Sequence, residues 1–354
     1  GYVGVDIFFV ISGYLITKLI LIEQNKGEFT FSNFFLRRIR RIMPALLTVA
    51  AVTYPFAIFF FLPLPLLEYV GSLISGIFFT SNFFFYFNEI NYYASPSIYK
   101  PLLHYWSLSV EEQFYFIYPL SLILIYKFSK RKIVFAFSIV AILSFIYSIY
   151  LSFYDQSLSF YMFPTRIWEF LIGALAAKMH LQNFNLKSKS IKFFLQIIGI
   201  IFIFSSIFFF KESLTTEYNL VNKVIFSHPG LITLIPVIGT FLIILFAQEK
   251  NFINFSLSLK PLVFIGLISY SLYLWHYPVF SFVKFSPYDM NTIKDYVILI
   301  LSIFFLSFLS YNFIEQPFRK KKITSTKTLF LFLFIIIFTL FILCFHSYKN
   351  KGYS

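Results

Sequence analysis

The sequence predicts an all-α protein, a polytopic transmembrane helical bundle of about ten spans. Hydrophobic residues make up 59% of the 354 positions and charged residues only 12%, whereas a soluble domain carries about 25% charged residues. The apolar residues fall in repeated continuous runs of about 20, the length that crosses a bilayer as a helix. A transmembrane β-barrel would instead show alternating segments of about ten residues. The runs place crossings at 3–22, 43–63, 108–126, 133–151, 165–180, 193–210, 229–247, 262–283, 295–314 and 328–346.

Each crossing is oriented by its flanks. Lys and Arg collect in cytoplasmic loops, so the net charge of +14 reads as topology and not as a nucleic-acid surface. Lys18, Lys26, Arg37, Arg38, Arg40 and Arg41 mark 18–42 as inside, and Lys127, Lys130, Arg131 and Lys132 mark the next inside loop. Two crossings must then separate them, at 43–63 and 108–126. The apolar stretch 66–88 becomes a re-entrant or interfacial element, which membrane depth tolerates only under a cover of protein. With that assignment nearly three quarters of the 29 basic residues fall inside, and the last helix leaves its tail outside. The first run lacks a positive leader and contains Asp6, so it reads as a permanent helix and not a signal peptide. Cys344 is the only cysteine, so no intrachain disulfide forms.

Charges in such runs cost roughly 2.5–3.5 kcal/mol each on insertion scales and call for a partner or a wet cavity. Asp6 shares a helical face with Gly13 and Thr17, a small, polar stripe that should face protein. "HYWSLSVEEQFYFIYP" gathers His104, Trp106, Glu111, Glu112, Gln113, Tyr115 and Tyr118 at one helix start. Ser109 and Glu112 fit a capping box there, and Trp106 with the tyrosines fits an interfacial belt. In "RIWEFLIGALAA", Arg166, Glu169 and Gly173 share a face, and the first two are spaced for an ion pair. "GLISYSLYLWHYPVF" puts Gly266, Ser269, Tyr273 and His276 on one stripe, with Pro278 expected to disturb the helix just beyond. His276 is a candidate proton acceptor near neutral pH. "RRIRRIMP" and "NFIEQPFRKKK" are the densest cationic clusters, both inside. Arg38 and Arg41, at i and i+3, present guanidinium groups suited to phosphate. No metal-ligand spacing, Gly-rich phosphate loop or Gly-x-Ser-x-Gly elbow occurs, and no pair of interrupted helices recurs in two halves as in many transporters.

In this order the motifs "GVDIFFVISGYLIT", "FLRRIRRIMPAL", "LLHYWSLSVEEQFYFIYP", "RIWEFLIGALAA", "SYSLYLWHYPVF" and "FIEQPFRKKK" resemble the acyltransferase-3 family of integral membrane O-acyltransferases. The resemblance runs over nearly the whole chain. It implies a membrane domain over 1–325, an extra transmembrane helix at 326–347 and the start of an extracytoplasmic linker at 348–354. The extra helix is similar to that of the subgroup followed by an outer SGNH-hydrolase-like domain, whose members acetylate surface polysaccharides such as lipopolysaccharide O-antigen.

What the resemblance implies is acetyl transfer from cytoplasmic acetyl-CoA to a hydroxyl of a carbohydrate, lipid-linked or at the cell surface. Membrane lipid is then a partner, nucleic acid and metal are not, and the location is the bacterial inner membrane. Arg38 and Arg41 match the family's Arg-x-x-Arg and, with Arg319, would hold the donor. Glu111, Gln113, Tyr115, Glu169 and His276 match positions lining the membrane site, and Asp6 joins them. The family's first helix, with an arginine and a histidine eleven residues later, would precede "GVDIFF". Gly1 is therefore expected to be a truncation point and the chain catalytically incomplete, with His276 or His104 as substitutes. The alternatives are a transporter or flippase of lipid-linked glycan or acyl groups, without acyl transfer, and a glycan polymerase or ligase.

Overall fold

The computed structural model describes residues 2–89, 96–129, 132–184, 186–209, 228–247, 251–285 and 292–353. Gly1 and two residues of the second basic loop, Lys130 and Arg131, lie outside the described residues. Every regular element among those described is helical: α1 (Tyr2–Lys26), α2 (Phe31–Phe60), α3 (Pro63–Ile77), α4 (Ser81–Glu89), α5 (Tyr105–Phe128), α6 (Lys132–Tyr154), α7 (Gln156–Tyr161), α8 (Phe163–Leu181), α9 (Lys189–Phe209), α10 (Leu234–Phe246), α11 (Phe252–Leu257), α12 (Lys260–Phe285), α13 (Ile293–Ser310) and α14 (Thr326–Lys349). A π-turn, Tyr311–Glu315, and a last turn, Gln316–Arg319, prolong α13.

Among the described residues, eight helices are long and apolar enough to cross a membrane: α1, α2, α5, α6, α9, α12, α13 with its extension, and α14. The other two expected crossings are helical as well but differ in kind. Helix α8 has 19 residues and carries Arg166, Glu169 and Lys178. Helix α10 has 13 residues, about 20 Å at 1.5 Å per residue, against a hydrocarbon core of about 30 Å. The stretch 66–88 forms α3 and α4, each too short to cross. They are separated by a turn in which Phe79 takes φ 55°.

Local chemistry sets the ends. Gly27, at φ 71°, follows α1 in the left-handed conformation that glycine adopts without strain. Thr30 caps α2, Asp155 caps α7 and Ser325 caps α14, each side chain accepting a backbone N–H one turn on. Thr292 and Asp295 form a reciprocal capping box on α13.

Three expectations are corrected here. Helix α5 starts at Tyr105, because the backbone already turns at Lys100–Leu103 and Leu102–Tyr105. Ser109 is therefore inside the helix and not its cap. Its hydroxyl donates to the Tyr105 carbonyl and accepts the Ser81 N–H. Trp106, Tyr115 and Tyr118 are buried in the protein and form no interfacial belt. Pro278 does not end its helix, since α12 runs on to Phe285. Proline removes one N–H, which membrane helices tolerate when a neighbour covers the freed carbonyl. The carbonyl so freed is that of Leu274, and the His104 ring lies within its reach.

The chain divides into two compact units, with the division falling inside α5. The first comprises residues 1–29 and 110–259. There α8 packs between α1 and α6, and α10 packs on α9, α1 and α8. Glycines set the closest crossing. A Cβ on Gly13 would lie 1.9 Å from the Phe170 carbonyl oxygen, and one on Gly173 would lie 1.9 Å from that of Val10. Helices α1 and α8 thus touch backbone to backbone, the close approach that small residues permit in membranes. Gly199 and Gly239 do the same for α9 and α10. A stack of rings, Phe9–Phe170–Phe114–Tyr118, with centroids 4.3–4.4 Å apart, runs through this unit.

The second unit comprises residues 30–109 and 260–354. Helix α2 packs on α3, α12 and α14, and α12 packs on α13. Tyr54 ties α2 to α14 by donating to the Leu343 carbonyl at 2.7 Å, and its hydroxyl also meets that of Ser347. Arg40 is buried and donates to the carbonyls of Phe318 and Thr324 and to the Thr326 hydroxyl. The outer side of α14 is a strip of exposed phenylalanines, Phe334, Phe338, Phe341 and Phe345, suited to lipid.

Candidate active site

The first unit holds two buried polar clusters. In one, Asp6 of α1 meets Arg166 of α8, with Oδ1 2.6 Å from Nη2, while its Oδ2 lies 2.9 Å from His228 Nε2. Glu169, one helical turn after Arg166, lies 3.2 Å from its Nε. Asp6, Arg166 and Glu169 are fully buried. The cluster sets two carboxylates and an imidazole around one guanidinium. Burial lowers the affinity of His228 for a proton, against the pull of Asp6, and its Nε2–H serves as donor to the carboxylate. Two carboxyl groups around one guanidinium and one imidazole form an arrangement able to hold or pass a proton.

In the other cluster, Glu111 of α5 accepts hydrogen bonds from Ser12 of α1, at 2.6 Å, and from Tyr115, one turn along its own helix. The carboxylate is buried and held between two hydroxyls, the setting of a positioned general base. Thr17 and Tyr118 join their hydroxyls at 2.6 Å one turn further along both helices. Gln113 sits two residues from Glu111, about 200° around the helix, and is half-buried outside this cluster.

The second unit holds the histidines. His104, at the start of α5, and His276 of α12 stand with ring centroids 5.4 Å apart, and His104 stacks on Tyr277. The Tyr273 hydroxyl donates to the His104 carbonyl and meets the Ser107 hydroxyl. His276 Nδ1 lies 2.6 Å from the Tyr273 carbonyl. That carbonyl can only accept, so Nδ1 carries the hydrogen and Nε2 is left as the basic nitrogen. Burial, helped by His276, holds the His104 ring well below the usual histidine range. The carbonyls of Pro101 and Leu274 lie within its reach, but neither ring nitrogen closes a regular hydrogen bond. Gly266 and Ser269, expected on the same stripe, are exposed and take no part.

The cationic residues gather elsewhere in that unit. Glu315 is buried at the end of the π-turn, where Ser271 donates to it at 3.2 Å and Arg319 lies 3.7 Å away. Arg41 acts on the same carboxylate. Arg38 and Arg41 are half-buried, and Arg319 is 45% exposed. Arg41 and Arg319 thus both act on Glu315, and guanidinium groups in such a cluster are able to take phosphate oxygens. Arg40, in the same motif, is committed to carbonyls. Among the described residues no group of three His, Cys, Asp or Glu could hold a metal ion.

Of the sequence-named residues, the structure places Asp6 with Glu169, Glu111 with Tyr115, and Arg41 with Arg319. It adds His228, Ser12 and Glu315. His228 precedes an apolar run in "SHPG", and Glu315 is the lone acid of a basic motif. Both signals were in the sequence, but neither names its partner.

A profile of the acyltransferase domain, acyltransferase-3, matches residues 1–312. The chain is 35% identical over 330 residues to the O-acetyltransferase OatA of Staphylococcus aureus strain NCTC 8325, covering 91% of this chain and 53% of that protein. It is 32% identical over 331 residues to the peptidoglycan O-acetyltransferase OatA of Listeria monocytogenes, covering 90% of this chain and 51% of that protein. The chain thus spans about half the length of the curated relatives it matches. No solved structure matches it.

Proposed function

The chain belongs to the acyltransferase-3 family, and from that premise we propose that it is the membrane part of an O-acetyltransferase of a bacterial envelope polysaccharide, seated in the plasma membrane. The observation that carries the reading is the likeness to O-acetyltransferases over nine-tenths of the chain. The buried acid–hydroxyl and histidine clusters support it, since acyl transfer to a hydroxyl needs a base to take the hydroxyl proton. We assign that role to Glu111 or the His276 Nε2, each a basic group within one of these clusters.

Acetyl-CoA is the proposed donor. Arg38, Arg41 and Arg319 would hold its phosphates, with Glu315 fixing the two that flank it. The acceptor is a sugar hydroxyl. The subgroup resemblance suggested lipopolysaccharide O-antigen, whereas the Listeria relative is named for peptidoglycan, which makes peptidoglycan the favoured acceptor here. The polysaccharide of a producing strain should carry 42-Da acetyl increments by mass spectrometry. Arg41→Ala should abolish them while the protein still inserts, and Glu111→Gln should lower them about 100-fold or more. Full acetylation with Arg41→Ala would remove the donor role of the cationic cluster. Unchanged acetylation after deletion of the gene would remove the function.

A further inference from the structure

The donor site proposed above takes Arg38 and Arg41 from α2 and Arg319 from the last turn of α13, so its shape depends on what holds those two stretches of chain together. Arg40 is the link. It is buried, 4% exposed, and its side chain leaves α2 about 100° from Arg41 and about 160° from Arg38, away from the face those two share. Nη1 donates to the carbonyls of Phe318, at 3.0 Å, and Thr324, at 2.9 Å, and Nη2 donates to the Thr326 hydroxyl at 3.0 Å. Phe318 directly precedes Arg319, and Thr326 is the first residue of α14. The Thr324 hydroxyl donates to the Pro317 carbonyl at 2.9 Å, which closes the basic turn on itself before Arg40 fastens it to α2. Carbonyls at the end of a helix lack intrahelical partners and draw positive charge, and a guanidinium can serve three acceptors from one rigid fork. All of these residues lie in the second unit.

We propose that Arg40 is a positioning residue for the donor: it touches no donor atom and sets where Arg319 stands relative to Arg38 and Arg41. The proposal rests on the donor reading above. Phosphate recognition by guanidinium groups is directional, because the N–H fork must meet the oxygens near its own plane. Groups contributed by two stretches of chain therefore bind well only while their spacing is fixed. Arg319 is 45% exposed beside Glu315, on a short turn that runs on into the exposed Lys320, Lys321 and Lys322. Like charges crowd that turn and favour its loosening. Two contacts oppose this. Ser271 of α12 donates to Glu315 at 3.2 Å, and its neighbour Tyr270 donates to the Ile42 carbonyl of α2 at 2.9 Å, which holds the start of the turn. Arg40 holds the rest, from Phe318 to Thr326, through one side chain.

The test measures binding of tritiated acetyl-CoA to the chain in lipid nanodiscs, with the unfolding midpoint of each variant alongside. Arg40→Lys keeps the charge but replaces the fork by a single nitrogen. It should weaken acetyl-CoA about tenfold, the worth of one charge-assisted hydrogen bond. Thr326→Val removes one acceptor and no charge. It should weaken acetyl-CoA about threefold by itself and no further on top of Arg40→Lys, because the two act through one contact. An Arg40 that held phosphate directly would leave Thr326→Val without effect, and that result overturns the proposal. So does unchanged affinity in Arg40→Lys, whether or not its midpoint falls, since a role confined to stability moves the midpoint alone. If Arg40→Lys yields no folded protein, Thr326→Val still decides. A wild type that binds acetyl-CoA and loses it in Arg41→Ala, with Arg40→Lys and Thr326→Val unchanged, removes the positioning role and keeps the donor site. A wild type that binds no acetyl-CoA removes both.

Discussion

Asp6 faces two partners drawn from far along the chain, Arg166 at a separation of 160 residues and His228 at 222. Removing its charge takes from the fully buried Arg166 guanidinium its 2.6 Å carboxylate partner. Asp6→Asn should therefore cost about 3–5 kcal/mol, as breaking a buried pair does, and a lowered unfolding midpoint in detergent is the readout. The sequence showed that Asp6 needed protein around it, and showed the Arg166–Glu169 pair, because both follow from helical spacing. It could not show His228, since no periodicity links residues on different elements. His104 yields a pH prediction. Burial depresses its folded proton affinity, so the unfolded state binds more protons, and stability is full above the ordinary histidine value of about 6.5 and falls as pH drops below it. The unfolding midpoint should decline from pH 7 to pH 5, and less steeply in His104→Phe, with His228 supplying the remaining slope in the same direction.

At the scale of the element, the crossing of α1 with α8 depends on two hydrogen atoms where side chains would stand. Gly13→Val or Gly173→Val should force the helices apart at a cost of about 3 kcal/mol or more, seen as loss of folded protein from membranes. Gly266→Ala, which would meet nothing within 4 Å, should be neutral or stabilise by up to about 1 kcal/mol of helix propensity, read as an unchanged or raised unfolding midpoint. Helix existence was legible almost throughout, because length and apolarity decide it. Helix ends were less so. A capping signature at Ser109 lost to a turn of backbone formed one helical turn earlier, and the disturbance expected just beyond Pro278 left the helix continuous to Phe285. The π-turn at Tyr311–Glu315 left no mark in the sequence pattern, yet it sets where Glu315 points.

For the molecule as a whole, charge parity makes a claim that labelling can check. In a Cys344→Ala background, an impermeant maleimide should reach Ser97→Cys only from outside the cell and Lys26→Cys only after the membrane is opened. Both positions are exposed. Labelling of both from one side would break the assignment of 66–88 as non-crossing. The division into units was not legible, because each is assembled from two separated stretches and composition does not change at their borders. That interleaving bears on biogenesis. Asp6 enters the bilayer with α1, but Arg166 is translated 160 residues later. At 5–20 residues per second that is roughly 10–30 s. During that interval an insertase, a lipid headgroup or a proton must neutralise the carboxylate, and the finished salt bridge records a wait that the newborn chain had to survive.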